Sequence, residues 1–280
     1  MSGMRVYISA DIEGTCGIVA WPETERSTPM DYTPFQKQMT REVAAACTGA
    51  IEAGADFIMV RDAHDSARNI DPAALPKQAR IMRGWTGDPL SMMSGVNDGI
   101  PLTRYDAAFF TGYHAAASRG GNPLSHTMNL RNEYVLLNGV KMSEFMMNAY
   151  TAIYYGVPVA FVTGDNDVCS DAVRIVPDII HMPVNEGRGG AVVSLHPDVA
   201  LQEIQKLAKE ALWQVKQNPK RFLPPLPEKF DMVVRFKDHK VAYSKSFYPG
   251  AWLEDEKNVL FSSGDWYEVL RFSHFVLSDG

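Results

Sequence analysis

Cysteine is scarce in this chain: three thiols, Cys16, Cys47 and Cys169, are scattered through 280 residues with no CxxC pair. That excludes a disulfide framework. Basic charge is short as well, with 27 Lys and Arg against 33 Asp and Glu, a formal balance of −6. No Lys/Arg cluster overrides it, so no nucleic acid partner is expected. Long hydrophobic runs are missing too. The longest apolar stretch, 149–162, is broken by Thr151, Gly156 and Pro158, which rules out a bilayer span and leaves no membrane partner. The first residues pass from Met4 straight into Arg5-Val6-Tyr7-Ile8 without the pattern of a signal peptide, and the expected location is cytoplasmic. Also absent are GxSxG, HExxH, the P-loop and GxGxxG, which removes the usual support for serine-hydrolase, zincin, NTPase and dinucleotide readings. What is present is 46% hydrophobic residues, enough to bury the core of a folded enzyme or binding protein.

The first half alternates compact apolar runs with helical patterns, as a parallel sheet with crossover helices requires. Strands are expected at Met4–Ala10, 56–61, 106–111 and 157–163, and helices at 33–53 and 142–155. Asn138-Gly139 between apolar residues predicts a hairpin over 134–140. Further on, Ile204, Leu207, Ala208, Ala211, Leu212 and Val215 keep helical spacing within 197–216. Four prolines stiffen 218–227, strands are expected at 232–236, 241–243 and 259–262, and a short helix near 266–275. The fold class is therefore α/β: an N-terminal, mostly parallel sheet with flanking helices over 1–184, then a smaller mixed α/β lobe over 185–280.

Ionisable residues recur just beyond the strands. Asp11 and Glu13 follow the first, Asp62 and His64 the second, His114 the third. In open α/β sheets these ends converge on one crevice. Asp11 and Glu13 lie two apart and share a side of an extended backbone. Two carboxylates so placed repel unless a cation or a proton intervenes. With His64, His114 and Glu144, the only acid of the 142–155 helix, they form a mixed N/O set suited to Zn²⁺ and its first-row neighbours. Their number exceeds what one tetrahedral ion needs, which suggests two. Each residue alone also has a structural reading: Asp11 and Asp62 as turn caps, Glu144 at the positive end of its helix, His64 as a satisfied loop histidine.

The residues also carry a resemblance. Ser9-Ala10-Asp11-Ile12-Glu13-Gly14 resembles the SxDxEG signature of the D-aminopeptidase family of zinc metallopeptidases. The likeness continues through Asp62-Ala63-His64-Asp65-Ser66, Gly112-Tyr113-His114-Ala115, Ser125-His126-Thr127-Met128, Met142-Ser143-Glu144 and Gly164-Asp165-Asn166-Asp167. It implies two zinc ions per subunit, with Asp11 as the bridging carboxylate and Glu13, His64, His114 and Glu144 as the other ligands. It places His126 on the catalytic histidine. It further implies action on short peptides, including those with an N-terminal D-residue, and a ring-shaped homo-oligomer, decameric in the family. Two departures stand out: residues 117–122 look longer than the family's loop, and Asn185 stands where a lysine is expected.

The resulting expectation is a metal-dependent aminopeptidase assisted by His126, as proton shuttle or oxyanion partner, with Asp62 or Asp65 orienting His64. A metal-dependent amidase or hydrolase of another small amide or ester, and a non-catalytic peptide-binding protein, remain as alternatives. His181, His196, His239 and His274 are read as surface or packing histidines, Asp165 as a helix cap, and Cys16 as a bystander thiol. The aromatic C-terminal residues Trp252, Phe261, Trp266, Phe272 and Phe275 are expected to supply a contact surface.

Overall fold

Strands buried on both faces need unbroken apolar runs, and those runs form the centre of this protein. In the computed structural model, which describes residues 3–97 and 104–278, the chain begins with β1 (Met4–Ala10), α1 (Pro29–Glu52), β2 (Ala55–Asp62), β3 (Ala79–Met82) and β4 (Ala107–Tyr113). It continues through β5 (Asn132–Leu137), β6 (Val140–Lys141), α2 (Glu144–Tyr154), β7 (Val159–Asp165) and α3 (Asn166–Ile175). Next come β8 (Ile180–Arg188), β9 (Ala191–Ser194) and α4 (Pro197–Gln217). The last part holds β10 (Phe230–Phe236), α5 (His239–Lys245), β11 (Trp252–Leu253), β12 (Asn258–Ser263) and α6 (Trp266–Leu277).

The larger sheet has the order β3-β2-β1-β4-β7-β8-β9, parallel except for the β8–β9 hairpin. Strand order reverses between β1 and β4, and a crevice opens beyond the carboxyl ends of strands at such a point. Register keeps those ends level: Ala10 of β1 pairs with Asp62 of β2 and Thr111 of β4. Helices α1 and α4 pack against each other over one face. They approach closely because Gly49 has no side chain; a Cβ there would lie 2.1 Å from the Gln205 carbonyl oxygen. Across the pair Ile204 and Leu212 are fully buried, each contributing about 1.5–3 kcal/mol of apolar transfer. On the other side α2 packs on β4, β7 and α3.

The smaller sheet, β11-β12-β10-β5-β6, is antiparallel. Asn138 and Gly139 both take positive φ, 49° and 79°, which lets the expected two-residue turn follow the strand twist. Helix α6 lies on this sheet, with Phe272 stacked on Phe261 at 4.8 Å.

The position 184/185 lies inside β8, and segments of both sheets lie on either side of it: β5 and β6 belong to the smaller sheet, β9 and α4 to the layers of the larger. Two expectations are corrected by these facts. Residues 241–243 are helical in α5, not a strand, because the Asp238 carboxylate accepts the Lys240 N–H at 2.8 Å and caps a turn. Three apolar-leaning residues carry too little periodicity to separate helix from strand. Finally, Phe261, Trp266 and Phe272 are core residues, while Trp252 and Phe275 are exposed.

Candidate metal centre

The loop after β1 brings Asp11 and Glu13 over the sheet edge. Asp11 N–H still pairs with the Thr111 carbonyl at 2.8 Å, and Gly14 N–H with that of Gly112 at 2.8 Å. Gly14 must be glycine: a Cβ there would lie 1.8 Å from the Tyr113 carbonyl oxygen. Beneath the loop, Asn185 is buried. It accepts the Gly17 N–H at 3.1 Å and donates to the Thr15 carbonyl at 2.8 Å. The unexpected asparagine is thus a buttress for the carboxylate loop.

Asp11, Glu13, His64, His114 and Glu144 are all buried and meet at one place, with His126 beside them. His64 Nδ1 lies 3.4 Å from Asp11 Oδ1 and 3.2 Å from Glu13 Oε1. On the other side His114 Nε2 lies 3.6 Å from both Asp11 Oδ2 and Glu144 Oε1. His126 Nε2 is 3.5 Å from the same Glu144 oxygen, and its ring stacks on His114 at 4.3 Å. Asp11 therefore presents one oxygen to each half of the cluster.

Each imidazole is oriented by a main-chain carbonyl. His64 Nε2 is 3.0 Å from the Thr24 oxygen, His114 Nδ1 2.9 Å from that of Ala115, and His126 Nδ1 2.9 Å from that of Leu124. A carbonyl only accepts, so those nitrogens carry the proton in the neutral ring. The other nitrogen of every ring then turns a lone pair into the cluster, the tautomer a metal-binding histidine needs. Glu144, the first residue of α2, follows the cap Ser143, whose Oγ accepts the Met146 N–H at 3.1 Å. Its Oε1 also accepts the Met128 N–H at 2.7 Å.

Burial and mutual contact pull the charges apart. Burial, then Glu13, pushes Asp11 well above the ordinary carboxylate range. Burial also opposes ionisation of Glu13, but contact with His64 outweighs it and holds Glu13 well below that range. Against their burial, Glu13 raises His64 and Glu144 raises His114. His126 is lowered, by burial and by His114. Asp11 Oδ2, Glu13 Oε2 and His114 Nε2 are buried with no hydrogen-bond partner among the described residues. Orphaned acceptors of this kind are satisfied by a cation. Two overlapping sets have ligand atoms mutually close enough for an ion: Asp11, Glu13 and His114, and His114, His126 and Glu144. The donor set fits zinc.

One other assignment changes, that of Asp62, while Asp165 and Cys16 keep theirs. Asp62 does not orient His64; its carboxylate accepts the Asn69 and Ile70 N–H groups at 2.6 and 2.8 Å and ties down the loop after β2. Asp165 caps α3 through the Val168 N–H at 2.8 Å, and its other oxygen takes the Ala115 N–H at 2.7 Å, steadying the residue that orients His114. Burial pushes the Cys16 thiol up to about 12, which makes it a poor nucleophile. Invisible to sequence reasoning were Thr24, Ala115 and Leu124, which act through carbonyls that every residue possesses. Trp21, whose ring meets His126 edge-on at 5.3 Å, was also missed.

The cluster opens into a cleft of about 630 Å³ walled by Trp21, Trp85, Met128 and Leu130. Carboxylates and imidazoles gathered at the carboxyl edge of a parallel sheet are the equipment of a metal-dependent hydrolase. The chain belongs to the D-aminopeptidase family, whose model matches residues 4–275, and with it to the aminopeptidase class of hydrolases. It is 28% identical over 270 residues to a D-aminopeptidase of Bacillus subtilis (strain 168), covering 96% of this chain and 94% of the relative. Among solved structures it is similar to the Zn-dependent D-aminopeptidase DppA from Bacillus subtilis, described as a self-compartmentalizing protease. The TM-score is 0.85 at 26% identity, over 98% of this chain and 96% of that one.

Proposed function

We propose that Asp11, Glu13, His64, His114 and Glu144 hold two zinc ions and that the protein removes the N-terminal residue of short peptides, those beginning with a D-residue included. One observation carries the reading: three imidazoles, each fixed by a carbonyl, turn their free nitrogens toward a group of buried carboxylates, two of which, Asp11 and Glu13, keep an orphaned oxygen. Asp11, with one oxygen toward His64 and the other toward His114, takes the bridging position. Bound there, zinc supplies Lewis acidity that polarises a carbonyl and lowers the pKa of water toward neutrality.

The chain's own groups do the rest. His126 sits at the mouth of the cluster with its pKa lowered, so Nε2 is unprotonated near neutral pH. Nε2 accepts the proton that the attacking water gives up and delivers it to the amine nitrogen as the C–N bond breaks. Trp21 packs against the ring and limits its swing. The reading extends to a homo-oligomer, a decameric ring by family resemblance, and to a cytoplasmic location. Exposed Tyr243, Phe247, Trp252 and Phe275 support a subunit contact. The buried free thiols Cys16, Cys47 and Cys169 suit a reducing compartment.

Elemental analysis of the purified protein, paired with a panel of D- and L-aminoacyl amides and dipeptides, tests the proposal. Two zinc ions per chain with release of the N-terminal residue are expected. Metal without turnover anywhere on the panel would point instead to a hydrolase of a different small amide or ester, or to a binding protein.

A further inference from the structure

We infer that the catalytic cleft continues past Trp85 into a second cavity that takes a large apolar or aromatic side chain on the substrate's N-terminal residue, while Asp65 receives that residue's ammonium group. This rests on the aminopeptidase reading above. The second cavity, of about 440 Å³, lies between the loop around Trp85 and helix α6. It shares Asp65, Trp85 and Met128 with the cleft over the metal centre, so the two spaces adjoin. Met147, Leu270 and Leu277 give it an apolar wall, and half-buried His274 stands at its side.

The partition between the two spaces is built firmly. Trp85 Nε1 donates to the Asp65 carbonyl at 2.6 Å. Behind the indole lies the fully buried guanidinium of Arg61, 4.5 Å from the ring centroid and bonded to the Gly84 carbonyl. Met128 and Asp65 both hold positive φ, 66° and 43°, a conformation that L-residues other than Asn and Asp adopt at a cost. The strain at Met128 aims its N–H at Glu144. At Asp65, which tolerates positive φ, the same conformation leaves an exposed carboxylate with no hydrogen bond or ion pair among the described residues, at the junction of both cavities.

An N-terminal residue carries an ammonium and a side chain on the same Cα. A carboxylate beside an apolar cavity matches that pair of groups. The residue beyond the scissile bond presents an amide instead, to which a free carboxylate and an apolar recess are less matched. The cavity's place beside His64 and Glu144, through Asp65 and Met128, puts the side chain within one residue of the reacting bond.

The test is a series of amides with one leaving group and N-terminal Ala, Leu or Phe in both configurations. With His274→Trp filling the cavity, the preference for Phe over Ala in kcat/KM should fall by about tenfold or more. Asp65→Asn keeps a residue tolerant of positive φ and removes the charge; KM should rise about tenfold across the series with a smaller change in kcat. Calorimetric titration of phenylalanine amide and alanine amide into metal-free protein reads the cavity without turnover, and His274→Trp should weaken the first far more than the second. If His274→Trp instead alters the ranking of leaving residues, or if both amides bind alike to parent and variant, the assignment is overturned. Selective binding by a parent that hydrolyses nothing on the panel would sink the aminopeptidase reading and leave the cavity standing.

Discussion

An imidazole has two nitrogens, and at this centre the backbone decides which one is free. His64 gives its Nε2 to Thr24, whereas His114 and His126 give their Nδ1 to the carbonyls of Ala115 and Leu124. The cluster therefore receives one lone pair from each ring whichever atom is used. His126 is the member whose duty must be separated by experiment, since its Nε2 lies within ligand range of His114 and Glu144. His126→Ala should retain two zinc ions per chain while kcat falls by about 10²–10⁴, the usual worth of a positioned proton carrier. Loss of an ion in elemental analysis would make it a ligand instead. A second residue-scale prediction concerns Glu42, buried beneath the carboxylate loop, where its Oε1 accepts the Cys16 N–H at 3.0 Å and its Oε2 has no partner. Burial raises its pKa to about 7. The folded state thus binds a proton that the unfolded chain releases near pH 4.5, so this group costs stability increasingly from about pH 4.5 to 7 and by a constant amount above. Glu42→Gln should raise Tm at pH 8, by at most about 3 kcal/mol in stability, with the gain vanishing near pH 4.5. A gain independent of pH would contradict this.

At the scale of elements, the centre depends on how closely three strand ends and one helix start can approach. Gly14→Ala would drive a Cβ into the Tyr113 carbonyl, displace Glu13 and lower zinc affinity more than it lowers Tm; titration with a zinc chelator measures the first and thermal melting the second. Ser143→Ala removes the cap of α2 and should cost about 1 kcal/mol, with a loosened Glu144 as its chemical consequence. Much of this was legible in the sequence. β1, β2, β4 and β7 are compact apolar runs, each with an acid or a histidine at its last position or just beyond it, and α4 follows its spacing almost residue for residue. The hairpin turn was legible because Asn138-Gly139 is a local backbone requirement. What escaped notice was set at a distance or by geometry alone. β3, β8 and β9 lack a clean run; β9 is only four residues long. α5 is seven residues fixed by one cap. The carbonyl of Thr24 reaches His64 across forty positions, and no side-chain pattern announces it.

The whole molecule is less divisible than its sequence suggests. β5 leaves the first half of the chain to pair with β10, with β6 added at its outer edge, and Asn132 Nδ2 donates to the Thr127 carbonyl at 2.7 Å, tying the smaller sheet to the loop that carries His126. The smaller sheet is therefore part of the active site's support, and truncation after α4 should abolish metal binding as well as folding. Exposed Tyr243 and Phe247, stacked edge-on at 5.1 Å, lie on its α5 side. Tyr243→Ser with Phe247→Ser should shift the assembly toward smaller species in sedimentation velocity if this face joins subunits; an unchanged distribution would place the contact elsewhere.

Anomalous diffraction from crystals grown with zinc, recorded on both sides of the zinc absorption edge, tests the account at its root. Two peaks are predicted on either side of Asp11, one against Glu13 and His64, the other against His114 and Glu144. Peaks confined to surface histidines, or a centre with no anomalous signal, would contradict it.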